Sequence, residues 1–339
     1  MRPDLPPFRI GIVGAGPMGS SLATLVAPIA STVLVCRDPE RAAQIFDQGV
    51  VVEGLGVETA YPILVSRVEA LPAVGGVDYL FIATKTTAIP GLCRQMLPVY
   101  RDLGVDGRAV RLISYQNGIE SGTQIMEALP GAIVLRMVLH YGAVLDRETG
   151  ITHVRMTNPP HFIGCVDEQV INETRDLAAA FSAIGFHTEY AADIDRHVWA
   201  KAILNAAMSP VAALVDTSIG ETLSSPARLV VERLLAEGIA VAEAEGHKLG
   251  ERFQTRALEA LAKAADHLPS MVDDLRSGRE SEVGQLNRQI IRHARSVDVE
   301  VPTHEVIDRL IETFDWRIYH RRPDDEPAIN RRSPLGSSS

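Results

Sequence analysis

Residues 9–19 read RIGIVGAGPMG, an apolar run that leads directly into three glycines spaced as GxGxxG. The run Arg9–Val13 predicts a buried strand, and the apolar stretch that starts near Met18 predicts a helix. Between a strand and a helix, such glycines permit a tight turn, let the backbone approach a pyrophosphate and allow close helix–strand packing. The residues predicted to bind a dinucleotide here are Gly14, Ala15, Gly16, Pro17, Met18 and Gly19.

The segment from Ile10 to Cys36 contains no charged residue and is long enough to span a bilayer. Its four glycines and two prolines are unlike a membrane helix, so a strand, a glycine turn and a packed helix explain it better. Residues 1–9 carry Asp4 and three prolines and are not followed by an A-x-A cleavage site, which disfavours a secretory signal. We expect no membrane partner.

The composition of the 339 residues is that of a globular protein, with 46% hydrophobic and 22% charged residues, and the length favours two domains. The formal net charge of −10 would repel a phosphate backbone, so nucleic acid is not an expected partner. Cys36, Cys93 and Cys165 lie far apart and form no metal or redox spacing. We interpret them as small buried side chains in a reducing, cytoplasmic compartment. No metal is predicted, because the histidines and carboxylates show no ligand spacing such as HExxH.

The first half of the chain alternates β-branched runs with amphipathic stretches. This alternation predicts βαβ units and a parallel sheet covered by helices on both faces. Strand-like runs recur between about Ile133 and Gly164, so we expect the sheet to finish with extra strands, antiparallel pairing being one option, before a helix over Glu168–Ile184. The predicted strands of the parallel sheet are Arg9–Val13, Thr32–Cys36, Val77–Thr84 and Val110–Tyr115.

From about Ala192 onward, Ala-, Leu- and Glu-rich stretches predict helices. The predicted fold class is therefore α/β, with a Rossmann-type dinucleotide-binding domain followed by an all-α C-terminal domain. The predicted boundaries are residues 1–190 for the first domain, 191–320 for the second, and 321–339 for a disordered tail rich in Arg, Pro, Asp and Ser.

The second predicted strand ends at Cys36-Arg37-Asp38, where an NAD site would place an acid on the ribose 2′-hydroxyl. Asp38 precedes Pro39 and a helical pattern, which is typical of a helix N-cap with proline at the first helical position. Arg37 is then free to bind a 2′-phosphate, because its planar fork matches a phosphate bidentately. These residues favour NADP(H) over NAD(H).

The chain contains 29 arginines and only four lysines. A lysine in such a chain can mark a site that needs a compact ammonium able to exchange a proton, with chance as the alternative. Lys85 directly follows a predicted strand, at the edge where doubly wound sheets bind ligands, and Asn117 follows the next strand. Lys201 and Asn205 share one face of an otherwise apolar helix. They either reach the surface or line a cleft between the domains with an anion nearby.

The chain resembles the ketopantoate reductase (2-dehydropantoate 2-reductase) family over roughly residues 9–320. The resemblance implies NADP(H)-dependent reduction of a small-molecule 2-oxo acid, with ketopantoate as the leading substrate. The matching pieces are the glycine loop, Arg37, Thr84-Lys85, Gln116-Asn117-Gly118, Trp199-Ala200-Lys201 with Asn205, and SMVDDLRSGRESE over residues 270–282.

The same resemblance implies roles for individual residues. Lys201 corresponds to the general acid, and Glu282 completes the catalytic site. The implied substrate-binding residues are Asn205, Ser209 and Ser270, and Lys85 and Asn117 join the glycine loop and Arg37 in the cofactor site. Ser209 stands where the family often has an asparagine before proline, and Ile219 replaces another asparagine. These two departures leave the identity of the 2-oxo acid open.

Two other functions are open from the sequence. One is a different NAD(P)H-dependent reduction on the same scaffold, of an imine or of the opine type. The other is a non-catalytic protein that binds dinucleotide as a signal. Lys201, Asn205, Ser270 and Glu282 together argue against a sensor, which has no use for a proton donor. The oligomeric state is likewise open, with a homodimer as one option.

Overall fold

The computed structural model describes residues 8–54, 57–165 and 168–320, and within these ranges the chain forms twelve strands and twelve α-helices. The strands are β1 (Phe8–Val13), β2 (Ala30–Val35), β3 (Val50–Glu53), β4 (Val57–Ala60), β5 (Ile63–Val65), β6 (Tyr79–Ile82), β7 (Arg111–Ser114), β8 (Ile133–Val138), β9 (Tyr141–Leu145), β10 (Thr152–Thr157), β11 (His161–Cys165) and β12 (Thr188–Tyr190). The helices are α1 (Pro17–Val26), α2 (Pro39–Gln48), α3 (Ile89–Met96), α4 (Ser121–Ala128), α5 (Ile171–Ala183), α6 (Ile194–Val215), α7 (Ile219–Ser224), α8 (Arg228–Ala244), α9 (Phe253–Lys263), α10 (Ser270–Arg276), α11 (Asn287–Ser296) and α12 (Pro302–His320). The predicted tail, residues 321–339, lies outside the described residues.

An eight-stranded sheet runs through the N-terminal part in the order β12-β11-β8-β7-β6-β1-β2-β5. The six neighbouring strands from β8 to β5 are parallel, and α1, α3 and α4 connect members of this set as crossover helices. Strand β11 runs antiparallel to β8, and β12 runs parallel to β11. The predicted parallel sheet is confirmed, with its four predicted strands present as β1, β2, β6 and β7.

The strand-like residues between Ile133 and Gly164 do not all join that sheet, which corrects the expectation from the sequence. Strands β8 and β11 do, whereas β9 and β10 form a second, four-stranded sheet with β3 and β4 in the order β4-β3-β10-β9. Alternating residue types predict a strand but not its partner, and β3 pairs with β10 across a large sequence separation through Val52 and Thr152. The second sheet packs on α1, so this helix lies between the two sheets.

Side chains of the large sheet alternate between two hydrophobic cores, one on each face. Ile12 and Phe81 belong to the core that includes α1 and α5, whereas Val13 and Leu80 belong to the core that includes α3 and α4. This covering on both faces leaves the ends of the strands as the accessible edge of the sheet. The buried, unpaired cysteines predicted from the sequence are confirmed at Cys36, Cys93 and Cys165.

Among the described residues, those after β12 form helices and turns without strands. Helix α6 is central to a third core, where it packs against α8, α10, α11 and α12, and it also packs on β8 and β11 of the large sheet. Length and composition alone would let α6 cross a membrane, but most of it is buried inside the protein, as in a core helix. The predicted division between residues 190 and 191 falls in the connection from β12 to α6.

Candidate functional site

The glycine loop joins β1 to the N-terminus of α1 at the carboxyl edge of the large sheet. Gly14 has a φ of +110°, in the region that favours glycine. A Cβ at Gly19 would come within 1.8 Å of the Gly14 carbonyl oxygen, so glycine is required for this close approach of α1. A Cβ at Gly16 would meet no atom within 4 Å, which leaves the backbone there open to a ligand. The three positions and the N-terminus of α1 fit the diphosphate of a dinucleotide.

The Asp38 carboxylate caps α2 and is therefore engaged by the backbone. It accepts hydrogen bonds from the N–H groups of Glu40 (3.0 Å) and Arg41 (3.4 Å), and Pro39 occupies the first helical position. The predicted N-cap is confirmed. Arg37 is exposed and makes no hydrogen bond or ion pair within the described part of the chain. An exposed, unpaired guanidinium at this edge is suited to a phosphate, and that role stays a prediction.

Lys85 and Asn117 follow β6 and β7, which are neighbours in the sheet. The Thr86 hydroxyl donates a hydrogen bond to the Asn117 carbonyl (3.2 Å), which ties the two loops together. The Lys85 ammonium lies 3.9 Å from the Asp274 carboxylate on α10. Both residues thus lie at the carboxyl edge of the sheet, and Lys85 is in contact with the helical domain.

A small cleft lies between this edge of the sheet and α6. Asn117 lines it from the sheet side, and Lys201 and Asn205 line it from one face of α6, so three predicted site residues share one cavity. Their spacing of four residues places Lys201 and Asn205 on that common face. The other lining residues are Ser114, Gln116, Gly118, Ser121, Arg136, Met137, Val138, Val198 and Ala202.

Burial governs the proton affinity of Lys201 and Glu282. It lowers the pKa of Lys201 to about 8, because less water stabilises the ammonium, and the negative charge of Glu282 acts in the opposite direction. Burial raises the pKa of Glu282; the positive charges of Lys85 and Lys201 oppose this shift, and Asp274 adds to it. The four side chains form one electrostatic cluster, in which the lysine can exchange a proton near physiological pH.

Glu282 and Lys85 do not line the cleft, and Ser209, Ser270 and Ile219 also lie outside its lining. Ser209 is half-buried one turn after Asn205 on α6, and Ser270 is exposed at the start of α10. Ile219 is 5% exposed within the helical core, and its backbone N–H donates to the His267 carbonyl. Because Ile219 is buried in the core, only Ser209 of these two departures from the family pattern stays a prediction for substrate contact.

Arg136 is a site residue that the sequence patterns did not reveal. It lies in the apolar strand β8 and lines the cleft. One terminal nitrogen donates to the Asp195 carboxylate (2.6 Å) near the start of α6, and the other donates to the Ile119 carbonyl. Arg136 thus holds the start of α6 against the sheet, upstream of Lys201. The sequence signal that could have identified Arg136 is a single arginine between apolar residues, although its partner Asp195 could not be predicted from it.

Gln116 is a second lining residue whose role the sequence left open. The Ser114 hydroxyl donates to its side-chain oxygen (3.3 Å) and lies 2.8 Å from the Ser121 hydroxyl. The side-chain nitrogen of Gln116 is buried and has no hydrogen-bond partner among the described residues. A buried donor of this kind is stabilised when a ligand or a water supplies an acceptor. The sequence signal that could have identified Gln116 as a lining residue is its position directly before Asn117.

Taken together, the glycine loop, the doubly covered sheet and the helical second domain define a Rossmann-type dinucleotide-binding protein. The described ranges contain no group of three or more His, Cys, Asp or Glu side chains arranged to hold a metal ion. The family model "Ketopantoate reductase PanE/ApbA" matches residues 10–167, and the model "Ketopantoate reductase PanE/ApbA C terminal" matches residues 193–314. The chain belongs to the ketopantoate reductase family.

Curated relatives agree with this membership. The chain is 30% identical to the 2-dehydropantoate 2-reductase of Halobacterium salinarum over 214 residues, which cover 62% of this chain and 69% of that protein. It is 25% identical to the 2-dehydropantoate 2-reductase of Pyrococcus horikoshii over 305 residues, which cover 90% of this chain and 96% of that protein.

Solved structures share the fold. A PanE/ApbA family ketopantoate reductase from Ralstonia eutropha superposes with a TM-score of 0.79 at 24% identity, covering 92% of this chain and 100% of that one. A D-mandelate dehydrogenase with NADH and anilino(oxo)acetate superposes with a TM-score of 0.80 at 19% identity, covering 92% of this chain and 99% of that one. At these identities, both structures show that the fold is shared.

Proposed function

We propose that the protein reduces a 2-oxo acid to the corresponding 2-hydroxy acid with NADPH, and that ketopantoate is the leading substrate. The observation that carries this proposal is a half-buried lysine, Lys201, which lines the cleft at the carboxyl edge of the sheet that bears the glycine loop. The relatives named 2-dehydropantoate 2-reductase support it. The site then lies between a dinucleotide domain, residues 1–190, and a substrate domain, residues 191–320.

Lys201 is the proposed proton donor. When bound, the reduced nicotinamide supplies a hydride to the ketone carbon of the substrate. Negative charge develops on the ketone oxygen, and Lys201 gives its Nζ proton to that oxygen. Its lowered pKa makes this ammonium a stronger acid than an exposed lysine, yet leaves it protonated at neutral pH. Glu282 keeps the lysine charged, because its negative charge raises the pKa of Lys201.

The remaining residues bind and orient. Asn205 lies one helical turn from Lys201 and holds the substrate beside the proton donor, which supplies much of the acceleration through fixed geometry. Ser209 and Ser270 extend the substrate site along α6 and from the start of α10. The proposed cofactor-binding set is the glycine loop Gly14–Gly19 for the diphosphate, Arg37 for the 2′-phosphate, and Lys85 and Asn117 at the ends of β6 and β7.

The proposal is tested with the purified full-length protein and a panel of 2-oxo acids that includes ketopantoate. NADPH oxidation is followed by absorbance, and the product is identified by mass spectrometry. We expect one 2-hydroxy acid formed for each NADPH oxidised. Oxidation that requires an added amine would assign imine or opine-type chemistry instead. NADPH binding without turnover of any substrate would assign a dinucleotide sensor.

A second candidate substrate is a 2-oxo acid without the terminal hydroxyl of ketopantoate. Ser209 offers a hydroxyl where the family often has an amide, which reduces the hydrogen-bonding capacity for a polar substrate tail. The shared fold with D-mandelate dehydrogenase is compatible with such a substrate. The discriminating quantity is kcat/KM for ketopantoate relative to 2-oxoisovalerate. A ratio above about a thousandfold would exclude the second candidate, and Ser209→Asn should raise a lower ratio.

A further inference from the structure

Arg41 on α2 is a buried arginine that is only 6% exposed. None of the roles described above uses it. We propose that Arg41 is a positioning residue of the dinucleotide site, which fixes the glycine loop from behind and stabilises by its charge the diphosphate bound in front. This inference rests on the proposed dinucleotide binding and goes beyond the residues assigned to it. Three observations carry it: the hydrogen bonds of Arg41, its unpaired charge, and the orientation of one peptide group.

The Arg41 guanidinium donates to four acceptors. Its Nε donates to the Ala15 carbonyl in the glycine loop (3.3 Å), and one terminal nitrogen donates to the Ser20 hydroxyl on α1 (3.2 Å). The other terminal nitrogen donates to the Gly150 carbonyl (2.8 Å) and to the Gln44 side-chain oxygen (3.3 Å). One side chain thus links α2, the glycine loop, α1 and the turn between β9 and β10.

All four acceptors are neutral, and no ion pair involves Arg41 within residues 8–54, 57–165 and 168–320. The titratable groups that act on it electrostatically are the Cys36 thiol and the Asp38 carboxylate. Burial raises the pKa of Cys36, so the thiol is neutral, and Asp38 is an exposed cap of α2. A buried guanidinium without a paired anion is costly in free energy. An anion that binds at the glycine loop would offset part of that cost.

The peptide group between Ala15 and Gly16 gives the loop its direction. The Ala15 carbonyl accepts hydrogen bonds from Arg41 and from the Ser20 hydroxyl (3.2 Å), so it points toward the interior. In a trans peptide the N–H lies opposite the carbonyl, so the Gly16 N–H points away from the interior, and a Cβ at Gly16 would also meet no atom within 4 Å. Arg41 therefore aims a backbone donor at the place where a diphosphate would bind.

This geometry separates Arg41 from Arg37. Arg41 acts through the diphosphate-binding peptide, which NADH and NADPH share. Arg37 is exposed and is proposed to contact the 2′-phosphate, which only NADPH carries. Loss of Arg41 should therefore weaken the binding of both dinucleotides by the same factor, whereas loss of Arg37 should weaken the binding of NADPH alone.

The test is the dissociation constant of NADPH and of NADH, measured by calorimetry on the full chain without any 2-oxo acid. We expect Arg41→Gln to raise both constants about tenfold, the size of one lost charge-assisted hydrogen bond. Arg41→Lys should lie between this variant and the unsubstituted protein, because it keeps the charge but not the planar fork. Arg9→Gln is the matched control, because Arg9 also donates to two backbone carbonyls, of Val74 and Gly75, at the opposite edge of the sheet.

Equal weakening of both dinucleotides, with Arg9→Gln unchanged, supports the proposal. Unchanged constants in Arg41→Gln, or a loss confined to NADPH, overturn it. If Arg41→Gln does not fold by circular dichroism, Arg41→Lys decides: a rise of about threefold for both dinucleotides supports the proposal, and no rise overturns it. Because no 2-oxo acid is present, a protein that passes this test yet reduces no 2-oxo acid would refute the proposed function and leave the inference intact.

Discussion

Lys85 and Asp274 form an ion pair of 3.9 Å that crosses from the end of β6 to α10, between the two domains. Asp274 is also held by Arg279 at 2.8 Å, so the helical domain fixes the carboxylate. The Lys85 charge reaches further, because it lowers the pKa of Glu282, which in turn acts on Lys201. One lysine thus couples the carboxyl edge of the sheet to the proposed proton donor, Lys201.

Replacing Lys85 by methionine tests this coupling. We expect the KM for NADPH to rise, because a cation is lost at the cofactor edge, and the pKa of Glu282 to rise further, because Lys85 lowers it. The acid limb of the pH profile of kcat/KM should then move to higher pH. Lys263→Met, at an exposed position on α9, is the control and should change neither quantity. An unchanged KM and acid limb in Lys85→Met would show that Lys85 contributes neither to cofactor binding nor to the pKa of Glu282.

The pKa of Lys201 sets the alkaline limit of the proposed reduction. Lys201 donates only while protonated, so kcat/KM should fall as the pH rises through about 8. Glu282→Gln removes the charge that raises this pKa, so the falling limb should move to lower pH. The measurement is the pH profile of kcat/KM at saturating NADPH, with Glu280→Gln, an exposed neighbour, as the control. A limb that stays in place in Glu282→Gln would show that the two side chains are not coupled during turnover.

Cofactor preference is expected to depend on Arg37. Arg37→Ala should weaken NADPH binding by roughly 1.5–3 kcal/mol, the contribution of a charge-assisted contact, and leave NADH binding nearly unchanged. Dissociation constants for both dinucleotides give this comparison directly. Arg94→Ala, exposed on α3, should affect neither. Equal losses for NADPH and NADH would mean that Arg37 does not contact the 2′-phosphate.

The ion pair between Arg136 and Asp195 should contribute to stability. Arg136→Met removes the donors that hold the start of α6 to β8, and we expect the free energy of unfolding to fall by about 2 kcal/mol. The value is modest because the Asp195 side chain is 40% exposed and can be rehydrated. Asp195→Asn, which keeps an oxygen acceptor, should cost less. Urea unfolding of the two variants checks both values, and a loss below about 0.5 kcal/mol in Arg136→Met would mean that the pair is dispensable.

The features that could be predicted from the sequence are those with local determinants. The glycine loop needs only a strand before it and a helix after it, and the Asp38 cap needs only Pro39 and the helical pattern beyond. Lys201 and Asn205 share a face because of their spacing alone. The parallel sheet follows from the alternation of strands and helices, which is also a local pattern.

The features that could not be predicted depend on distant partners. The second sheet requires β3 to pair with β10, and the residues of neither segment identify the other as its partner. In the sequence, Arg41 resembles a solvated arginine on an amphipathic helix, and its hydrogen bond to the distant Gly150 carbonyl is seen only in the structure. The carboxylate partner of Arg136 lies on a different domain. The lowered pKa of Lys201 likewise arises from burial by both domains, which no spacing along the chain reports.

Proton donation by Lys201 is tested most directly by comparing two substitutions. Lys201→Arg keeps the charge but cannot release a proton near neutral pH, and Lys201→Ala lacks both charge and proton. The measurement is kcat for ketopantoate at saturating NADPH, with Lys248→Arg, at an exposed position, as the control. We predict that both Lys201 variants lose about 10²–10⁴-fold in kcat while the control is unaffected. A Lys201→Arg enzyme that retains near-native kcat would contradict proton donation by Lys201.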